Sequence, residues 1–361
     1  MQNPSFVLQD IKKVTIEDRP VPELKDPHDV LVHVAQTGIC GSDVHYWQRG
    51  RIGDYVVTGP MVLGHESSGV IAAVGDAVTH LKSGDRVAVE PGLPCRRCDY
   101  CRRGSYHLCP GMVFAATPPY DGTLAKYYVT AADFCYKVPE HMDLEQAAMV
   151  EPVSVAVAIA KTADLRPHQT VLVLGCGPIG VLCQAVAKAY GASKVIGVDV
   201  VESRLEVAKT YGADETFLAP FREEGVEPLV HAERVAALVK ERCGLGDGAD
   251  VVLECSGAEA CVQLGVLAAR PGGTYVQAGM GKENVLFPIT TVCVRGLVVK
   301  GSIRYLPGCY PAAIELISTG KIDVKKLVTN RFKFEQAEEA FELVRQGRQD
   351  VFKVVISGVG Y

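Results

Sequence analysis

The sequence predicts an α/β protein of two domains: a doubly wound parallel sheet, and a mostly β, barrel-like domain contributed by the chain on either side of it. Three observations predict this. The chain has 361 residues, beyond the roughly 250–300 at which a single hydrophobic core stops growing. Its first 150 or so residues carry short β-branched runs punctuated by Gly and Pro, the pattern of an irregular antiparallel domain. From Thr170 onward, apolar runs alternate with helical stretches, the βαβ rhythm of a parallel sheet covered on both faces.

In the first segment, 29–35 (DVLVHVA), 67–75 (SSGVIAAVG) and 85–92 (DRVAVEPG) read as strands. The four-residue apolar run 171–174 is followed by a Gly-rich turn, an Ala-rich helix over 179–190 and a second apolar run, 195–198. Strand and helix signals then alternate through 250–254 and 274–279. After about Gly296 the reading is mixed, with a helix over 334–346 and a closing strand over 351–356. The domain boundaries fall near 153 and 294. Residues 1–153 and 295–361 are expected to form the barrel-like catalytic domain, and 154–294 the nucleotide-binding domain.

Composition narrows the function. Lys and Arg number 37 against 42 Asp and Glu, a net charge of −5, which excludes a broad basic footprint for nucleic acid or anionic membrane. With 48% hydrophobic and 22% charged residues, the chain is not of the disordered class. No run approaches the roughly 18 apolar residues of a membrane span. The first residues lack a basic segment followed by an apolar one, and the last match no retention address, so the cytoplasm is the expected compartment. In that setting the thirteen cysteines are metal ligands where clustered, before they are disulfides.

Gly175-Cys176-Gly177-Pro178-Ile179-Gly180 has the form GxGxxG, follows an expected strand and opens an expected helix. An acidic residue, Asp199, closes the next strand. Together these form the dinucleotide-binding fingerprint of a Rossmann domain, with the pyrophosphate at the helix N-terminus. Asp199 is placed to accept from the adenosine ribose hydroxyls and to repel a 2′-phosphate, so the expected cofactor is NAD. Arg204, five residues on, is a second cofactor-binding candidate, because an arginine there can receive a 2′-phosphate.

Cys95, Cys98, Cys101 and Cys109 lie within fifteen residues, a spacing that suits a closed, structural zinc site. The interleaved Arg96, Arg97, Arg102 and Arg103 are expected to offset its negative charge. Earlier, Cys40 in CGSDVH and His65-Glu66 in GHESSG offer thiolate, imidazole and carboxylate. Combined, they make a three-ligand zinc site with an open position, the catalytic pattern. The remaining cysteines read as small apolar fillers.

These motifs resemble the zinc-containing medium-chain dehydrogenases, and within them the polyol dehydrogenase branch of xylitol and sorbitol dehydrogenases of the fungal type. The resemblance runs through CGSDVHYW (40–47), GHESSGV (64–70), EPGLPCRRCDYC (90–101), FAATPPYDGTLAKYYV (114–129), Glu151-Pro152, GCGPIG (175–180), PGGTYVQAGMG (271–281) and KGSIRY (300–305). It implies a GroES-like catalytic domain, a catalytic zinc held by Cys40, His65 and Glu66, and Glu151 beside it through a water or as an exchanging ligand. Classical alcohol dehydrogenases place a second cysteine where this chain has Glu151. Zinc with one thiolate, one neutral imidazole and one carboxylate is neutral, which favours only one of Glu66 and Glu151 in the inner shell.

By the same resemblance Ser42, Tyr46, Tyr55, Phe114, Thr117, Glu151, Arg304 and Tyr305 contact a polyol, and Ser42, Glu151 or His45 passes its proton outward. Tyr55, after Gly50-Arg51-Ile52-Gly53, favours xylitol first and sorbitol second over arabinitol. A homotetramer is the implied assembly. The alternatives are an arabinitol or other alcohol dehydrogenase on the same scaffold, a zinc-free NADPH reductase, and a structural protein recruited from the family.

Overall fold

Asp29–Gly38 is a ten-residue strand hydrogen-bonded along both edges. In the computed structural model, which describes residues 2–361, one edge pairs antiparallel with Glu66–Val74. The other edge is shared. Tyr127–Ala131 takes its first half and Lys353–Ser357 its last three residues. Arg86–Val89, Cys135–Lys137 and Val328–Phe332 complete this mixed seven-stranded sheet. Register then sets position: Gly38 lies opposite Glu66 on one side and Val355 on the other.

These strands belong to a unit formed by Met1–Glu151 and Leu306–Tyr361. Its core joins the two ends of that sequence. Phe6, from the strand Asn3–Asp10, packs at 5.2 Å from Phe341 of the helix Ala337–Arg345, and Trp47 meets the same ring edge-on at 6.2 Å. The strands expected at 29–35, 67–75 and 85–92 appear as Asp29–Gly38, Glu66–Val74 and Arg86–Val89. The helix expected at 334–346 is a short 3-10 turn followed by Ala337–Arg345.

The other unit, Pro152–Tyr305, holds six parallel strands in the spatial order Glu215–Leu218, Lys194–Asp199, Thr170–Leu174, Ala249–Glu254, Ala269–Gln277, Val298–Gly301. Val171 to Leu174 are wholly buried, as a strand covered on both faces requires. The order reverses at Thr170–Leu174, which makes its carboxyl end the crevice where such sheets bind ligands.

The second expected boundary, 294, is displaced: this unit continues to Tyr305. The strand Val298–Gly301 pairs with Ala269–Gln277 and extends the parallel sheet. It is a four-residue edge strand with Val298 and Val299 more than two-fifths exposed, too short and too open to carry a burial pattern in sequence.

Phe341→Ala removes a fully buried ring and is expected to cost about 3–5 kcal/mol. Hydrogen exchange should quicken in the seven-stranded sheet alone. Equal loss of protection in the six-stranded sheet would contradict a separate core in each unit.

Candidate active site

Cys40 caps the helix Gly41–Arg49, whose third residue is Asp43. That carboxylate is buried and serves both segments of the site. Its Oδ2 accepts from the Cys40 backbone N–H at 3.2 Å, while Oδ1 accepts from the Gly64 N–H at 3.0 Å and faces His65 Nδ1 at 3.3 Å. Burial works against a charge on His65, but the field and hydrogen bond of Asp43, then the Cys40 thiol, outweigh it and hold the imidazole well above its ordinary range. With Nδ1 turned to Asp43, Nε2 is the nitrogen left to ligate a metal, the arrangement that orients metal-binding histidines.

Cys40, His65 and Glu66 each present one donor atom, and all three atoms lie within 4.8 Å of one another. A tetrahedral zinc site needs such atoms to close to roughly 3.5 Å around the ion. Glu66 stands at the start of its strand, opposite Gly38. Its Oε1 accepts from Lys353 Nζ at 2.5 Å, and its buried Oε2 receives no hydrogen bond. The ammonium also lies against Oε2, as an ion-pair contact outside hydrogen-bonding geometry. Three unlike donors converging in this way fit a zinc ion with one position left open. Glu151, in the first turn of the helix Val150–Thr162, is buried but is not one of these three donors.

In the second cluster the sulfurs of Cys98 and Cys101 are 3.5 Å apart, those of Cys98 and Cys109 3.8 Å, and those of Cys95 and Cys101 3.9 Å. Sulfurs around a tetrahedral zinc stand roughly 3.8 Å apart, whereas a disulfide requires about 2.05 Å. Backbone N–H groups of Arg97 and Cys98 and the Cys109 thiol hold the Cys95 thiol below the ordinary range. Two of the arginines are engaged elsewhere. Arg96 pairs with Asp133 at 2.6 Å and Arg103 lies over the Tyr100 ring at 4.5 Å. Backbone donors therefore supply part of the compensation expected from the arginines.

In the other unit, Gly177 caps the helix Pro178–Ala189. Gly175 has a φ of +88°, and a Cβ on Gly180 would overlap the Gly175 carbonyl oxygen. Pro178 fills the first helical position, where its missing N–H costs nothing, with Ile179 beside it. Asp199 ends its strand and accepts from Cys176 N–H at 2.7 Å and Val201 N–H at 3.0 Å. A cavity of about 460 Å³ opens here, lined among others by Gly175, Gly177, Asp199, Arg204, Phe221 and His231. Nothing lies within 4 Å of where a Gly177 Cβ would stand, so the cradle is open to a pyrophosphate, and the acid is on the cavity wall. The residues fit a dinucleotide.

Of the expected polyol contacts, Phe114 packs at 5.8 Å from the His65 ring, and the buried Tyr46 hydroxyl hydrogen-bonds to Thr117. Ser42 is on the same helix as Asp43. Tyr55 sits 45% exposed in a two-residue strand paired with Arg51–Ile52. Ala116, between Phe114 and Thr117, and Arg304 both adopt positive φ, near +55°, a strained backbone of the kind found at functional sites. Arg304 and the buried Tyr305 belong to the second unit. Sequence reasoning missed Asp43 and Lys353. An acid at the third position of a helix capped by a ligand was available as a signal for Asp43, whereas Lys353 in FKVVIS carried none.

The model of the alcohol dehydrogenase GroES-like domain matches residues 26–140, and that of the zinc-binding dehydrogenase domain matches 178–319. The chain is 55% identical to the probable D-xylulose reductase A of Aspergillus fumigatus and 56% identical to D-xylulose reductase A of Aspergillus niger, each match covering 99% of this chain and 97% of the relative. Among solved structures it resembles the L-idonate 5-dehydrogenase of Escherichia coli K-12 (TM-score 0.87, 28% identity, 99% and 98% coverage). It also resembles an alcohol dehydrogenase from E. coli CFT073 complexed with NADH (TM-score 0.85, 27% identity, 99% of both chains).

Asp43→Asn is expected to weaken zinc retention at the Cys40, His65 and Glu66 cluster about 10–100-fold, with the four-cysteine zinc unaffected. Counting zinc per chain after dialysis against a mild chelator checks this, and unaltered retention would remove Asp43 from its orienting role.

Proposed function

The chain belongs to the zinc-binding alcohol dehydrogenase family of medium-chain type, and on that premise we propose that it oxidises a secondary hydroxyl of a polyol with NAD, xylitol giving xylulose. It is an NAD-dependent, zinc-dependent polyol dehydrogenase. The observation that supports the chemistry is the convergence of Cys40, His65 and Glu66 donors. The full-length likeness to D-xylulose reductases supports the substrate.

When bound, the zinc supplies Lewis acidity that brings a hydroxyl pKa down toward neutrality, and NAD supplies the acceptor for the hydride. Cys40, His65 and Glu66 hold the zinc, and Asp43 fixes the His65 ring. Ser42, Glu151 or His45 takes the hydroxyl proton outward. Burial, then the Arg49 charge, lowers the His45 pKa, so the ring is neutral near pH 7 and able to accept. Phe114 and Tyr55 supply apolar wall. Tyr46, Thr117, Arg304 and Tyr305 are the proposed contacts of the remaining hydroxyls. Gly175, Gly177, Pro178, Ile179 and Gly180 cradle the pyrophosphate, Asp199 takes the ribose, and Arg204 lies beside it. Cys95, Cys98, Cys101 and Cys109 hold the structural zinc.

No helix among the described residues is long and apolar enough to cross a membrane. Thirteen cysteines without a disulfide support a reducing compartment, the cytoplasm. We propose a homotetramer; association of copies is supported by the edge strand Val298–Gly301, with Val298 and Val299 exposed and, close by in sequence, Val294 at 77% and Ile303 at 51% exposure. An open apolar edge of this kind is a template for a second copy.

Turnover followed by NADH absorbance should be brisk with xylitol and sorbitol, weaker with arabinitol and close to background with ethanol. A response confined to ethanol, or seen only with NADP, would overturn the assignment. Asp199→Ser should lower the preference for NAD over NADP by about tenfold or more; an unchanged ratio would remove Asp199 from cofactor selection. Light scattering coupled to gel filtration should give four times the chain mass, and a monomer would refute the assembly.

A further inference from the structure

Lys353 is a lysine out of reach of water. Its side chain is 5% exposed and that of Glu66 is 2% exposed. The ammonium donates to Glu66 Oε1 at 2.5 Å and to the Ile39 carbonyl at 3.0 Å. Gly38 leaves the space for this pair, since a Cβ there would overlap Glu66 Oε2 and come within 3.0 Å of Lys353 Cε. Both partners stand on strands hydrogen-bonded to the same central strand, so the backbone, and not only the side chains, fixes their approach.

A cation is an odd neighbour for a divalent metal. Zinc with the Cys40 thiolate and the Glu66 carboxylate sums to zero, and adding Lys353 makes the corner +1. A buried ammonium there is repelled by the ion, yet it holds the carboxylate that the ion needs. We propose that Lys353 is a positioning residue: it is the internal counter-cation of Glu66, orients the carboxylate when metal is absent, and competes with the metal for it. The surplus charge also leaves room for Glu151 nearby without turning the centre anionic. The proposal rests on the reading of Cys40, His65 and Glu66 as a zinc site.

Linkage gives the competition a sign opposite to that of ordinary support. Taking one partner from a buried ion pair strands the other charge at high cost. In the metal-free form Glu66 is then alone, whereas in the loaded form zinc still neutralises it. The metal-free form is penalised more, so zinc binds more tightly. A lysine that merely packed would leave zinc affinity unchanged or weaken it when removed.

The test follows zinc transfer from the intact holoenzyme to a chromogenic chelator, with the four-cysteine zinc as internal reference. Lys353→Met should slow release of the other zinc by about tenfold or more, and Lys353→Arg, which keeps the charge, should stay within about twofold of the parent. Adding Glu66→Gln to Lys353→Met should abolish the slowing. Unchanged or faster release from Lys353→Met overturns the proposal. If Lys353→Met does not fold, recovery of folded protein in the double variant supports it, and failure of the double variant overturns it. A parent enzyme that yields only one zinc per chain, with Cys40→Ser no different, overturns the zinc-site reading and this proposal with it.

Discussion

One buried carboxylate organises the site. Asp43 accepts from Cys40 N–H, from Gly64 N–H and faces His65, so it ties the loop that ends one strand to the turn that begins the next. Without it, the thiol and the imidazole would ride on two separate turns. The cost of burying its charge is met by three polar contacts, which is the condition on which buried carboxylates persist. The position of His65, the tautomer it presents and the proximity of Glu66 all follow from that anchorage.

Much of this was legible in the chain. The cofactor unit declares itself because strands buried on both faces need continuous apolar runs, and Val171 to Leu174 is such a run. The Gly-rich turn is equally plain, since the Gly175 backbone and the Gly180 contact exclude side chains. Four cysteines in fifteen residues announced a cluster whose sulfurs do lie 3.5–3.9 Å apart in the pairs given above.

What was not legible depends on pairings between distant segments. Lys353 and Glu66 are 287 residues apart and meet only because Lys353–Ser357 and Glu66–Val74 flank the same strand. In the sequence, a lysine opening a β-branched run looks like a surface charge. The strand Val298–Gly301 was invisible for a related reason: its pattern is set by a neighbour on one side and by nothing within the unit on the other. The partners of two arginines of the cysteine lobe, Asp133 for Arg96 and Tyr100 for Arg103, are recognisable only once the lobe is folded.

The interleaving of the two units has a consequence for synthesis. All six strands of the parallel sheet have left the ribosome once Gly301 has, and none of them needs a residue from elsewhere in the chain. The mixed sheet must wait more than fifty residues longer for Lys353–Ser357, and Glu66 spends that interval without its ammonium partner. A nascent chain therefore holds every strand of its parallel sheet before the mixed sheet has all of its own.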